Sequence, residues 1–172
     1  MAMLTLLTTP HAYAAFRKEI ADGVAERRIS KPITDVEAKK LPYLQALIKE
    51  TLRTHPPVGA AFYKEVPPSG AEVCGHYLPG GTQVGICIKA VERDTAVFGP
   101  DADAFRPERW LEAEGDSARL RAMNAAVDLV FGHGKFVCLG RTLAFMELNK
   151  ILVEVGIPFS LLVPRSWPCS VG

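Results

Sequence analysis

The chain reads as mainly α with a small β-sheet, an α+β arrangement, and three features predict it. Apolar residues recur at helical spacing in several separate segments. Residues 61–88 instead alternate Val, Tyr and Thr with Pro and Gly, the texture of short strands and turns. A glycine-rich loop, Phe131 to Gly140, then runs directly into a last apolar segment.

With 172 residues the chain has the length of one domain, or of a piece of a larger one. Hydrophobic residues make up 48% and charged residues 23%, the composition of an ordinary globular protein. The mean hydropathy of +0.11 fits either a compact core or apolar faces that pack on something further. The net charge is +1 with no acidic or basic block, so nothing resembles a footprint for nucleic acid or an anionic membrane. No window has the length of a transmembrane helix. Met1 to Leu7 is apolar but lacks a basic flank and is cut short by Thr8-Thr9-Pro10, so it does not read as a signal peptide. The four cysteines, Cys74, Cys87, Cys138 and Cys169, form no C-x-x-C pair, and without a secretory signal they are expected to be reduced.

The elements follow in order. Phe16, Ile20 and Val24 predict a helix from about Pro10 to Arg28, with Thr8 and Thr9 as candidate caps. Thr34 and Glu37 form a capping box that starts a short helix, stopping near Pro42. Leu44, Leu47, Ile48 and Leu52 predict an amphipathic helix from Pro42 to Thr54, ended by His55-Pro56-Pro57. Two or three short strands are expected within 61–88, then one helical turn over Ala90–Arg93. An extended meander over Phe98–Leu111 and a short surface helix over Asp116–Met123 come next. The final helix is expected from about Leu139 to Val155, ended by Gly156 and Pro158, and residues 160–172 form a tail without clear pattern.

Chemistry concentrates in the loop. Cys138 stands at the opening of a helix, where unpaired N–H groups and the helix dipole favour an anion. Gly134 and Gly140 permit positive φ and close backbone approach to a flat ligand. Phe131 supplies an apolar wall, and Ala144 leaves room beside the loop. A thiolate in this setting could serve as the axial ligand of a haem iron. A lone cysteine is nevertheless more often a small buried hydrophobe. A second reading of Gly132-His133-Gly134-Lys135 is a phosphate-cradling loop before a helix, although the order G-x-x-x-x-G-K-[S/T] is not met. A second motif, Glu50 to Arg53, places an acid and a base three residues apart. On its own it reads as a surface ion pair worth about 0.2–0.5 kcal/mol.

Taken together, these motifs resemble the C-terminal, haem-binding portion of the cytochrome P450 family. That family carries F-x-x-G-x-[R/H]-x-C-x-G-x-x-x-A, and Phe131, Gly134, Cys138, Gly140 and Ala144 match it in register. It also carries an E-x-x-R helix, matched by Glu50 and Arg53, and a downstream arginine in a P-E-R-[F/W]-like segment, matched by Pro107-Glu108-Arg109-Trp110. Leu41-Pro42-Tyr43-Leu44 and Phe98-Gly99-Pro100-Asp101 extend the resemblance over nearly the whole chain to about Leu152. The wording looks most like fungal members of the pisatin demethylase and benzoate 4-monooxygenase kind.

The resemblance implies an incomplete cytochrome P450-like domain over 1–159 and a divergent tail over 160–172. It implies haem b (iron protoporphyrin IX) ligated by Cys138 and bordered by Phe131, Gly132, Gly134, Lys135, Phe136, Gly140, Ala144 and Lys64. Glu50, Arg53 and Arg109 would form a buried triad, and Val58, Gly59, Ala60, Ala61 and Phe62 would border the substrate. The implied activity is insertion of one oxygen atom from O2 into a small organic substrate, with electrons from an NADPH-dependent reductase. Full-length fungal relatives are expected at the endoplasmic reticulum membrane.

There are departures. Phe136 stands where most members have Arg or His to hold a haem propionate, with Lys135 beside it as a substitute. Lys64 stands where an arginine commonly serves the other propionate; lysine keeps the charge but loses the bidentate fork. Glu92 replaces the usual histidine before Arg93-Asp94. The family's oxygen-activating A-G-x-[D/E]-T motif is not found, so no catalytic residue is assigned and the chain alone is expected to be inactive. The alternative is a non-catalytic fragment that binds haem weakly or not at all. The helix before the loop and the final helix are each expected to expose an apolar face.

Overall fold

The structure is a computed structural model that describes residues 1–59 and 61–162, with side chains described to residue 157 except that of Ala61. Nine α-helices and two small antiparallel ladders are present among them, the mainly α arrangement that the periodicities predict.

The first residues form a helix, α1 (Ala2–Thr8), which buries Ala2 and Leu6. The second, α2 (Pro10–Ala25), has Pro10 in its first turn as expected. Its caps differ from expectation: Thr9 makes no side-chain cap bond, and the Thr8 hydroxyl donates back to Leu4 O. The helix also stops short of Arg28. Arg28 N and Ile29 N both turn back to donate to Gly23 O, and Arg27 takes φ +56°. Gly23 makes the turn possible, since a Cβ there would lie 2.6 Å from Ile29 Cδ1. Val24 is exposed, while Phe16 and Ile20 are buried.

The capping box forms as predicted. Glu37 N donates to Thr34 Oγ1 and Thr34 N to Glu37 Oε2, opening α3 (Asp35–Ala38). The next helix, α4 (Pro42–Thr54), has the predicted bounds, and its first turn is capped from elsewhere in the chain. Tyr43 N and Leu44 N donate to the Glu19 carboxylate of α2 at 2.8 and 2.9 Å. This helix is not half-exposed. Leu44, Leu47, Ile48 and Leu52 are buried on one side, and Glu50 and Arg53 are fully buried on the other.

Four short strands occupy residues 61–87, one more than expected. Strand β1 (Ala61–Glu65) pairs with β4 (Gln83–Cys87), and β2 (Ala71–Val73) pairs with β3 (His76–Leu78). The β2–β3 hairpin closes on Cys74 and Gly75, both at positive φ, as its two-residue turn requires. Short helices follow: α5 (Ile88–Val91), where one turn was expected slightly later, and α6 (Thr95–Phe98), capped by Asp94.

The meander is extended only in its middle. Its end coils into α7 (Glu108–Glu112) and a 3-10 turn over Ala113–Gly115. The predicted surface helix is longer than expected, α8 (Ser117–Asp128). It is not a surface element throughout, because Met123, Ala126 and Val127 are buried. Contrary to expectation, none of its large apolar side chains is exposed.

The final helix, α9 (Arg141–Leu162), starts two residues late and continues through Gly156 and Pro158. Packing overrides the two breakers. A Cβ on Gly156 would lie 2.9 Å from Phe16 Cε1, so glycine lets α9 seat on α2. The Glu154 carboxylate also accepts from Ile33 N at 2.7 Å. Asn149, buried within α9, donates to Asp35 at 2.7 Å and accepts from Gln45 at 2.9 Å, joining α3, α4 and α9. The opposite face of α9 exposes Leu143, Met146 and Ile151, as expected. Residues 160–162 thus continue a helix, and the rest of the predicted tail, with Cys169, lies outside the described residues.

Candidate haem-thiolate site

The loop is a closed structure. Leu129–Phe131 and Gly134–Phe136 are 3-10 turns, and Cys138 N donates to Phe131 O at 2.7 Å across the loop's base. Gly132 makes the reversal at φ +75°. A Cβ there would lie 2.7 Å from Phe136 O, so no other residue fits without moving backbone. Gly134 also has positive φ and open space around it. Phe131 is buried and packs on Phe145 of α9, with ring centroids 5.4 Å apart and the Arg141 guanidinium 5.7 Å from the Phe131 ring. Arg141 is held in turn by Asp128.

Cys138 lies just before α9, its carbonyl accepting from Arg141 N. It is an unpaired cysteine with an exposed side chain. A cysteine serving only as core filler would be buried. Residues 133–140 are all exposed, and Leu139 is 99% exposed. A Cβ on Gly140 would come 3.7 Å from Cys138 Sγ, so glycine keeps the space beside the sulfur open. The loop presents one soft, anion-capable donor over an open, apolar surface, which fits a thiolate-ligated flat cofactor such as haem. A phosphate cradle fits poorly. The amides of Gly132, Val137 and Cys138 all donate to carbonyls within the loop or just before it.

The two lysines expected near the loop converge on Phe136. Lys64 Nζ lies 4.7 Å and Lys135 Nζ 5.1 Å from its ring centroid. A cavity of about 320 Å³ separates β1 and β4 from the loop, with Phe62, Lys64, Gly132, His133 and Phe136 among its lining residues. Of the expected substrate-bordering residues, Phe62 lines this cavity, whereas Val58 and Gly59 do not. Ala61 contributes backbone to β1, and Ala60 lies outside the described residues. Ala144 packs partly buried against the core.

Between α4 and the meander lies a cluster of buried charge. Glu50 Oε1 accepts from Arg53 Nη2 at 2.8 Å and from Arg109 Nε at 3.1 Å, and all three side chains are fully buried. The surface-pair alternative is excluded by that burial. The remaining donors hold the meander: Arg53 reaches Glu92 O, Ala102 O and Ala104 O, and Arg109 reaches Phe98 O, Asp101 O and Ala104 O. Two partners escaped the sequence reading. Trp110 Nε1 donates to Glu50 Oε2 at 2.9 Å, a need that any buried indole N–H signals. Asp101 accepts from Arg106 and Arg109; partial burial opposes its ionisation, but the two guanidinium groups outweigh it and hold the carboxyl below its ordinary range. Glu92 is the exception. It is fully buried, neither carboxylate oxygen has a partner, and burial pushes its pKa up to about 8 despite Arg53 and Arg93 nearby.

The sequence model described as Cytochrome P450 matches residues 1–169. The chain is 44% identical over 154 residues to "Cytochrome P450 monooxygenase ABA1" of Pyricularia oryzae, covering 89% of this chain and 30% of that protein. It is 41% identical over 170 residues to "Cytochrome P450 monooxygenase aba1" of Botryotinia fuckeliana, covering 98% and 33%. It is 39% identical over 163 residues to "Cytochrome P450 monooxygenase ACRTS1" of Alternaria alternata, covering 95% and 42%. The chain thus spans about a third of the length of the first two relatives. The resemblance to pisatin demethylase and benzoate 4-monooxygenase members finds no support in these relatives, whose names differ. With a family model matching almost its full length and fungal relatives near two-fifths identity, the chain belongs to the cytochrome P450 family.

Proposed function

We propose that the chain is the haem-binding portion of a fungal monooxygenase, with Cys138 as the iron ligand. The observation that carries this is the exposed Cys138 thiol on the closed Phe131–Cys138 loop. When bound, haem supplies the iron at which O2 is activated and one oxygen atom passes to an organic substrate. The chain's own residues bind and orient. Phe131 and Phe145 fix the loop's base, Gly132 sets its reversal, and Gly140 leaves space beside the sulfur. Lys64 and Lys135 offer positive charge near Phe136 for the cofactor's carboxylates. Glu50, Arg53 and Arg109 brace the meander so that the loop keeps its shape. Phe62 borders the substrate side.

The substrate, the NADPH-dependent reductase and a location at the endoplasmic reticulum belong to the whole protein. Within the family, the ABA1-named fungal monooxygenases are the reference for this chain. The test is a haemin titration followed by dithionite and carbon monoxide, with Cys138→Ala in parallel. A strongly red-shifted ferrous–CO Soret band that disappears in the variant is expected; a band unchanged by Cys138→Ala would remove the assignment.

A second reading is a non-catalytic fragment, favoured by the exposed Leu143, Met146 and Ile151 face beside the loop. Reductase, NADPH, O2 and a panel of small organic substrates supplied to the 172-residue chain with haem bound should give no oxygenated product, and product formation would discard this reading.

A further inference from the structure

We infer that a cavity between α4, α7 and α8 is a binding site for a small organic carboxylate with an apolar body, its anion held by Lys49 and Lys40. None of the cavity's lining residues belongs to the Phe131–Gly140 loop, so the inference stands apart from the haem reading. The cavity measures about 370 Å³, within the range of about 300–1,000 Å³ common to small-molecule sites.

Helical spacing builds one wall. Pro42, Gln45, Ala46 and Lys49 recur at i, i+3, i+4 and i+7 and so share one face of α4. The other walls come from Trp110 and Leu111 of α7 and from Leu120 of α8. Trp110 is held in place: it is buried, and its Nε1 donates to Glu50 Oε2 at 2.9 Å. The apolar body of a ligand therefore meets a surface that already has its shape, which keeps the ordering cost of binding low.

Charge decides the class of ligand. Three lysines and one acid, Glu114, line the cavity. Lys39 is committed to Asp35 at 2.6 Å. Among the described residues Lys40 and Lys49 have no ion-pair partner. Lys49 is half-buried, and its ammonium lies 5.3 Å from the Trp110 ring centroid. Burial pushes its pKa below the ordinary lysine range, against the pull of Asp128 and Glu114. A partly desolvated cation without a hydrogen-bonded anion gains from a carboxylate, because a charge-assisted bond offsets the hydration that burial removed. A cationic ligand would instead meet two ammonium groups, and an uncharged one would leave Lys49 without an anion.

The test compares 4-phenylbutyrate with 4-phenylbutanamide, which has nearly the same shape and no charge. Each is titrated by calorimetry into the wild-type chain and into Lys49→Met, Lys49→Arg, Lys40→Met and Lys64→Met. We expect the carboxylate to bind the wild type with a Kd of about 1 mM or tighter, and the amide at least about fivefold more weakly. Lys49→Met, which keeps the stem but removes the charge, should cut that preference to about twofold or less, while Lys49→Arg retains most of it. Lys40→Met, at an exposed position that leaves the fold intact, should reduce the preference to about threefold or less. Lys64→Met changes a residue of the other cavity and should leave it unaltered. Circular dichroism checks the fold of each variant, and Lys40→Met carries the test if Lys49→Met does not fold. No saturable binding of 4-phenylbutyrate, equal binding of the amide, or a preference that survives Lys40→Met or falls only in Lys64→Met overturns the inference.

Discussion

Glu50 Oε1 accepts from Arg109 Nε at 3.1 Å, joining helix α4 to the end of the meander across 59 residues of sequence. The same carboxylate takes Arg53, Trp110 Nε1 and the backbone N–H of Arg106. Five donors thus converge on one buried carboxylate, counting Arg109 Nε and both Arg53 Nε and Nη2. Glu50→Gln keeps the size but leaves two buried guanidinium groups without their shared counter-charge. It should destabilise the chain by about 3–5 kcal/mol in urea unfolding. A loss below about 1 kcal/mol, the value of an exposed pair, would contradict a bracing role.

Arg109→Lys is a sharper probe of the same cluster. One ammonium group offers three donors, whereas Arg109 serves Glu50, Phe98 O, Asp101 and Ala104 O. The charge survives but several carbonyls lose their partner. We expect a destabilisation of roughly 2–4 kcal/mol and faster amide hydrogen exchange in residues 99–107. Unchanged exchange there would show that the guanidinium does not hold the meander.

Gly132→Ala should damage the loop more than overall stability. It places a side chain at φ +75° and 2.7 Å from Phe136 O. The expected cost is about 1–3 kcal/mol, with haemin affinity reduced at least about tenfold. Equal affinity in the variant and the wild type would mean that the loop reshapes without consequence.

Glu92 predicts a pH dependence of definite sign. Its ordinary value is 4.5, and burial raises it to about 8 in the folded chain. Between those values the folded state keeps a proton that the unfolded state has released. Stability therefore falls as pH rises from about 4.5 to about 8 and levels off above. Glu92→Gln should remove this slope and stabilise the chain by roughly 1–3 kcal/mol at pH 8. Thermal unfolding of both proteins across that window measures it, and parallel curves would refute the assignment.

The exposed Leu143, Met146 and Ile151 face of α9 should drive self-association. The double variant Leu143→Gln, Ile151→Gln should shift sedimentation toward monomer without lowering the melting temperature by more than a few degrees, since both side chains are exposed. Unaltered sedimentation would place any association elsewhere.

The sequence alone determined what local chemistry dictates. The Thr34–Glu37 capping box, Pro10 and Pro42 in first turns, and helix α4 were legible because caps, prolines and apolar spacing act over a few residues. The family motifs pointed to Cys138, Glu50, Arg53 and Arg109 because their spacing is short and specific. Tertiary structure decided whatever depends on distant partners. Gly156 and Pro158 read as breakers, yet α9 runs through them because Gly156 seats on Phe16. Glu50 and Arg53 read equally well as a surface pair, and only the arrival of Arg109, Trp110 and the meander carbonyls buried them. Hydrogen-bond and apolar periodicity are written along the chain, whereas burial is a property of surfaces that meet only after it folds.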